Sequence, residues 1–225
     1  MRQTPIQETA EDDTSVAIQT GVVTIDAGHG TNNSLPGAAG EAQTVMAVSR
    51  ELRRMLMAKG VIVHMTHEKS DSSETLSEDS DSDNVARALM ANRTRSELFI
   101  RLHADASTGR SAIYFPEKHP NRTIARESGR AAEIIWSYYL PIIEQSKVVF
   151  SRQVLTDEET KIGHEQGGLL TGSRASLVPV VLVELVPMNA TGSTWINDSV
   201  NRKKAAMALA DGIVDYLNDG AYDRI

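Results

Sequence analysis

The sequence contains no cysteine. Disulfides, cysteine-based zinc sites and thiol catalysis are therefore excluded together, and metal ligands must come from histidine and carboxylate side chains. Long apolar runs are also missing, because no segment reaches the roughly eighteen consecutive apolar residues that a membrane-spanning helix needs. Residues 1–20 lack the apolar stretch of a secretory signal, and we expect them to form a loose, acidic lead-in.

Positive charge is scarce. The chain has 23 lysine and arginine residues against 30 aspartate and glutamate residues, which gives a formal net charge of −7. Such a balance argues against a protein that binds nucleic acid by neutralising phosphates. At 225 residues, the chain is long enough for one substantial core, and we expect a single main domain.

Apolar strand-like segments alternate with amphipathic helical ones along the chain. Strands separated by helices of this length predict an α/β fold, in which a mostly parallel twisted sheet has helices on both faces. We expect the main domain to span residues 21–219, followed by a C-terminal tail at 220–225. Strands are predicted at residues 21–27, 61–67, 97–104, 111–116 and 178–187, and helices at 41–60, 84–95, 122–140 and 199–219.

Two polar stretches interrupt this alternation, at residues 68–83 and 147–173. We expect both to be surface loops, and the second lacks sustained helical periodicity.

Within the first stretch, Asp79, Asp81 and Asp83 resemble the start of a calcium-binding loop. Asn84 and Met90 stand where that loop needs glycine and glutamate, so a solvated acidic loop is the favoured interpretation.

Ionisable residues follow three predicted strands. His29 lies in the small-residue turn "DAGHGT", His103 ends "ELFIRLHA", and Glu184 follows the apolar run "VPVVLV". In a parallel sheet these strand ends share one edge, where functional groups gather. Each histidine alone is an ordinary turn residue, and the glycine-rich turn also suits anion binding. A carboxylate in a buried strand is costly unless it is paired or metal-bound, which favours a site.

Glu41 begins the helix after the glycine-rich turn and is placed to fold back onto the same edge. A carboxylate at a helix start is also explained by the helix dipole alone. Two histidines and one carboxylate form a known zinc-ligand set that leaves a position open for water.

The segments "TIDAGHG", "GAAGE", "VARALMAN", "SELFIRLHAD" and "GSRASLVPVVLVEL" resemble, in the same order, the motifs of zinc-dependent N-acetylmuramoyl-L-alanine amidases. Ordered motifs with plausible spacing are more specific than any one of them. The resemblance implies that His29, Glu41 and His103 hold one zinc ion and that Glu184 is the catalytic carboxylate. It also implies a weaker candidate for substrate contact, Arg174, for which a surface arginine is the alternative.

Other positions match the family pattern without a proposed chemical role. Arg87 and Asn92 are interpreted as structural residues that fix their helix against the next strand. By contrast, His64, His119 and His164 match no ligand motif and are expected to be ordinary surface or loop histidines.

The sequence also departs from the family pattern. Asp105 replaces an asparagine, His67 stands where an arginine is common, and Val186 replaces a glycine. The loop before Glu41 looks short, which makes Glu41 the least secure of the ligands.

The resemblance implies hydrolysis of the amide bond between the lactyl group of N-acetylmuramic acid and L-alanine of the peptidoglycan stem. A zinc peptidase acting on stem peptides and a non-catalytic peptidoglycan-binding relative are the alternatives. We expect a monomer that acts outside the cytoplasm, in the periplasm or cell wall, or alternatively a phage lysin. A protein activator is left open.

Overall fold

The computed structural model describes residues 21–30, 40–70, 80–104 and 109–220. Six strands form one sheet: β1 (Val22–Ala27), β2 (Ile62–Met65), β3 (Leu98–His103), β4 (Ala112–Phe115), β5 (Leu155–Thr156) and β6 (Val180–Glu184). The α-helices are α1 (Glu41–Ala58), α2 (Ser80–Arg93), α3 (Arg122–Glu144), α4 (Lys161–Glu165), α5 (Thr171–Ala175), α6 (Ala190–Asn197) and α7 (Ser199–Asn218). The expected lead-in at 1–20 and nearly all of the expected tail lie outside the described residues.

The strand order is β2-β1-β3-β6-β4-β5. Strand β1 pairs in parallel with β2 and β3, and β3 pairs in parallel with β6. Strand β4 runs antiparallel to β6, and the short β5 runs parallel to β4. The predicted α/β class with a mostly parallel sheet is confirmed, and β1, β3 and β6 share one direction at its centre.

Side chains alternate between the two faces of the sheet, as strand geometry requires. Val23 and Ile25 of β1 belong to the main core, to which helices α1, α3 and α7 contribute. On the opposite face, Phe99 of β3 and Val180 of β6 pack with Ala88 and other small residues of α2 and its neighbours. That second face also carries buried polar residues, which support the site described below.

The structure corrects three expectations about segment boundaries. Residues 147–173, expected as a surface loop, contain β5, a 3-10 helix at Asp157–Glu159, α4 and the start of α5. Helix α3 continues through Pro141 to Glu144, and the Gln145 side chain donates a hydrogen bond to the Pro141 carbonyl oxygen. A proline removes one backbone hydrogen bond of the helix, and α3 continues past it for about one turn, so the helix end predicted at residue 140 lies later in the structure. Helix α6 was not predicted.

The acidic stretch is also more ordered at its end than expected. Helix α2 begins at Ser80, so Asp81 and Asp83 lie in its first turn, where negative charge is favourable. Asp83 is buried, and its carboxylate accepts a hydrogen bond from Arg87 Nε at 2.7 Å. The prediction of a solvated loop is therefore wrong for Asp81 and Asp83. Residues 71–79, including Asp79 of the calcium-like triplet, lie outside the described residues.

Candidate active site

The carboxyl ends of the three central strands meet at one edge of the sheet. His103 ends β3 and Glu184 ends β6, and the two are direct partners in the register of these strands. His29 follows β1 by two residues. The structure therefore brings the strand-end residues together at one edge, as expected for a parallel sheet.

Glu41 joins His29 and His103 in a compact cluster. The Glu41 Oε1 atom lies 3.0 Å from His29 Nε2 and 3.5 Å from His103 Nδ1. One ligand atom from each residue can be chosen so that all lie within 4.8 Å of one another. The two imidazole rings meet edge to face, with centroids 4.9 Å apart. Among the described residues, this is the one cluster of histidine and acidic side chains that can hold a metal ion.

The backbone of neighbouring segments places Glu41 in this cluster. Gly40 has φ 81°, a left-handed conformation that favours glycine, and helix α1 begins directly after it. The backbone N–H of Ala104, just beyond His103, donates to Glu41 Oε1 at 3.0 Å. The loop before Glu41, which looks short in the sequence, lies outside the described residues.

The protonation states of the cluster suit a cation. Burial opposes ionisation of Glu41, but hydrogen bonds from His103 and His29 hold its pKa well below the usual range. Burial lowers the pKa of His103 to about 4. At neutral pH, the cluster therefore offers a charged carboxylate and a neutral imidazole, which are the ligand forms that bind a metal.

The turn that carries His29 is conformationally unusual. His29 has φ 60°, a left-handed conformation that non-glycine residues rarely adopt, and Gly30 follows with φ 83°. Such a conformation persists only when the surrounding structure holds it, and it is typical of functional sites. Gly28 is required for space, because a Cβ atom there would lie 2.5 Å from Cε1 of the His103 ring.

Arg87 of α2 stabilises this turn by hydrogen bonds to its backbone. Its Nη2 donates to the backbone carbonyl oxygen of His29 at 3.1 Å, and its Nη1 donates to the carbonyl oxygen of Ala27 at 3.0 Å. The same Nη1 donates to Asp26 Oδ1 at 2.7 Å, and Nε donates to Asp83. Arg87 is structural, as expected, but it fixes α2 to the end of β1 rather than to β3.

Asp26 is the centre of this buried network. Its Oδ2 atom accepts from Arg101 Nε at 3.0 Å, and its Oδ1 atom also accepts from the Thr66 hydroxyl at 2.7 Å. Burial opposes ionisation of Asp26, but Arg87 and Arg101 hold its pKa well below the usual range. The carboxylate therefore stays charged, and it is paired with a guanidinium on each side.

Sequence reasoning missed Asp26 and Arg101 as supporting residues. Both interrupt otherwise apolar strands with opposite charges, and the two are direct partners in the register of β1 and β3. Opposite charges in neighbouring buried strands are the signal that was available, because buried charges must be paired.

Glu184 lies beside the cluster but is not a member of it. Its side chain is half-buried at the end of β6. Arg174 lies in α5, where it is exposed, and its Nη2 donates to the backbone carbonyl oxygen of Gln166 at 2.7 Å. The contact with substrate suggested for Arg174 stays a prediction.

Asn92 also has a structural role, with partners other than the expected strand. Its side chain donates to the Ala175 carbonyl oxygen and accepts from the Leu177 N–H, which ties α2 to the segment before β6.

The remaining histidines differ in their surroundings. His164 is exposed, as predicted, and His64 is half-buried on β2, at the edge of the sheet. His119 lies in a loop, as predicted, and its side chain is buried there, with Nε2 3.2 Å from the Ser176 carbonyl oxygen. His67, where the amidases commonly have arginine, is buried beside Thr66.

Comparison with known proteins gives a consistent result. The sequence model of N-acetylmuramoyl-L-alanine amidases matches residues 23–215. None of the curated proteins matches the chain significantly.

Solved amidase structures share the fold. Ami1 from Mycobacterium smegmatis superposes with a TM-score of 0.68 at 22% identity, over 90% of this chain and 99% of its own. The CwlD amidase from Clostridioides difficile, solved in complex with the GerS lipoprotein, has a TM-score of 0.68 at 16% identity, over 89% and 100%. The catalytic domain of CwlV from Bacillus (Paenibacillus) polymyxa has a TM-score of 0.65 at 19% identity, over 88% and 99%.

Proposed function

Since this chain belongs to the N-acetylmuramoyl-L-alanine amidase family, we propose that it uses a zinc ion held by His29, Glu41 and His103 to hydrolyse the bond between the lactyl group of N-acetylmuramic acid and L-alanine. The observation that carries this proposal is the cluster of the three side chains at the edge of the sheet. Family membership supports hydrolysis of a C–N bond in peptidoglycan, and the zinc-based mechanism is our inference.

The donor set fits zinc better than calcium or magnesium. Two imidazoles and one carboxylate match a known catalytic zinc set, whereas calcium and magnesium prefer oxygen ligands alone. Gly28 leaves the His103 ring the space it occupies, and the Ala104 N–H orients the Glu41 carboxylate. Zinc bound at such a site supplies a Lewis acid that acidifies water and polarises the carbonyl under attack.

Glu184, the register partner of His103, is the carrier of the transferred proton in this proposal. Its carboxylate accepts one proton from the attacking water as the new C–O bond forms. The same carboxyl group then delivers that proton to the amide nitrogen as the C–N bond breaks. The products are a lactyl carboxylate on the sugar and a stem peptide with a free amino group. Glu184 ends the process ionised, ready for another turnover.

Arg174 is the candidate for contact with the substrate. It is exposed on α5, and its guanidinium suits a carboxylate of the stem peptide or the oxyanion that develops during attack. The hydrogen bond from Arg174 to the backbone carbonyl oxygen of Gln166 would restrict the orientation of the arginine side chain.

The place of action follows from the substrate. Because peptidoglycan lies outside the cytoplasmic membrane, we propose action in the periplasm or cell wall. None of the helices in the described part of the chain is long and apolar enough to cross a membrane. The CwlD amidase was solved in complex with a lipoprotein. We propose that this chain acts as a monomer, with a protein partner of that kind as the alternative to test.

Digestion of purified peptidoglycan tests the proposal directly. The protein is assayed as isolated, after removal of metal by a chelator, and after zinc is restored, with products identified by mass spectrometry. We expect intact stem peptides with a free L-alanine amino terminus, lost on chelation and recovered with zinc. Release of free amino acids would indicate a zinc peptidase instead. Binding to the wall without cleavage, with zinc confirmed in the protein, would indicate a non-catalytic relative.

A further inference from the structure

The carbonyl group that follows Glu184 is held by two buried hydroxyl groups. The Tyr139 hydroxyl of α3 donates to the Leu185 carbonyl oxygen at 2.9 Å, and the Ser111 hydroxyl donates to the same oxygen at 2.9 Å. Leu185, Tyr139 and Ser111 are all fully buried. On its other side, the Leu185 N–H donates to the His103 carbonyl oxygen at 2.8 Å. The backbone of Leu185 therefore joins the end of β6 to β3, the strand that carries a proposed zinc ligand.

The two hydroxyl groups satisfy a carbonyl that lies just beyond the end of β6. Strand β6 ends at Glu184, which pairs with Ala112 at the start of the antiparallel strand β4. Leu185 therefore lies one residue beyond the last pairs that β6 makes with β3 and β4, His103–Glu184 and Ala112–Glu184. A buried carbonyl needs a hydrogen-bond donor, and the two side-chain hydroxyls each supply one to the Leu185 oxygen.

The tyrosine is suited to a constant role as donor. Burial raises the pKa of Tyr139 well above its usual range, so the hydroxyl is protonated and can donate at neutral pH. Its ring packs against Trp136, with centroids 5.6 Å apart, which restricts its position.

We propose that Tyr139 and Ser111 are positioning residues that fix the direction in which Glu184 leaves β6, and so hold its carboxylate against the cluster of His29, Glu41 and His103. The inference rests on the proposed role of Glu184 as the proton carrier. Displacement of a catalytic group by a fraction of the length of a bond lowers the rate of the chemical step without altering how substrate binds.

The test compares Tyr139→Phe, Ser111→Ala and the double variant on a soluble muramoyl-peptide substrate. Each single variant leaves one donor to the Leu185 carbonyl, and we expect kcat to fall about fivefold in each and about fiftyfold in the double variant. We expect KM to change by less than about twofold and the zinc content to stay at the level of the unmodified protein. Tyr138→Phe is the matched control, because it removes the same atom from the neighbouring, partly exposed residue of α3.

A second comparison separates positioning from a general structural role. Tyr139→Phe is combined with Glu184→Gln, and the low residual kcat is measured at high enzyme concentration. If Tyr139 acts through Glu184, its hydroxyl no longer matters in this background, and the two variants with and without Tyr139→Phe have the same residual kcat. An equal fold loss in both backgrounds would overturn the inference, as would an unchanged kcat in the double variant of Tyr139 and Ser111. Full turnover of Glu184→Gln alone would instead reject the proposed proton carrier, and the positioning role with it.

Discussion

The guanidinium of Arg87 donates a hydrogen bond to the backbone carbonyl oxygen of His29, across 3.1 Å. It thereby holds a histidine in a left-handed conformation that is unfavourable without external support. Because this bond is made to the backbone of His29, the arginine fixes the direction from which the imidazole would approach a metal ion.

Arg87→Lys removes this support while keeping a positive charge near Asp26. A lysine cannot reproduce hydrogen bonds from three guanidinium nitrogens to the four oxygens that Arg87 contacts. We expect zinc affinity to fall about tenfold to a hundredfold, the usual effect of losing a partner that orients a ligand. Competition with a chromogenic chelator measures this affinity. Arg93→Lys, the same change at an exposed position of α2, is the matched control and should leave zinc affinity unaltered.

Glu184→Gln should separate catalysis from metal binding. The amide keeps the shape of the side chain but cannot accept a proton, so we expect kcat to fall about a hundredfold to ten-thousandfold. Zinc content measured by atomic absorption should equal that of the unmodified protein. A variant that lost its zinc would place Glu184 among the ligands, contrary to the role proposed here.

His29→Ala and Glu41→Gln should each weaken zinc binding and abolish turnover together. His29→Ala removes a ligand nitrogen outright. Glu41→Gln replaces the charged oxygen that lies close to both imidazoles with a neutral amide. Zinc titration followed by calorimetry provides the measurement. Full zinc occupancy in Glu41→Gln would remove Glu41 from the ligand set, which matters because the sequence left this ligand the least secure.

Asp26→Asn tests the buried charge network through the pH dependence of stability. Because the pKa of Asp26 is lowered in the folded state, its contribution to stability is present above its unfolded pKa of about 4 and is lost as pH falls below that value. At pH 7, removal of this carboxylate leaves Arg87 and Arg101 buried without their shared partner, and we expect the free energy of unfolding to fall by about 3–5 kcal/mol. Urea unfolding at pH 7 and near pH 3 should show the difference between the two proteins shrinking at the lower pH. A difference that stays constant across this range would contradict the assignment.

Much of the site could be predicted from the sequence because it depends on strand ends. His29, His103 and Glu184 follow apolar runs that are recognisable as buried strands, and parallel strands place their carboxyl ends together. The clustering of His29 and His103 with Glu41 was expected from the resemblance and from the start of α1.

What the sequence did not reveal depends on pairing across long distances. Asp26 and Arg101 are 75 residues apart, and neither explains its burial until the register of β1 and β3 is known. Likewise, the hydroxyl groups of Tyr139 and Ser111 meet one carbonyl oxygen only after α3, β4 and β6 have packed. The short helices between residues 147 and 173 contain too few residues for a periodic pattern, so the sequence alone predicts a loop there.

The proposed zinc ligands come from three separate segments, two of which, β3 and α1, meet the turn after β1 only in the folded sheet. An unfolded chain therefore offers zinc no comparable site, and the ion would bind the native state alone. By mass action, free zinc at about a hundred times its dissociation constant would add about 2.7 kcal/mol to the stability of the fold. The melting temperature of this protein would then be a gauge of the zinc available to it, and loss of zinc would lower the stability by that amount as well as removing activity.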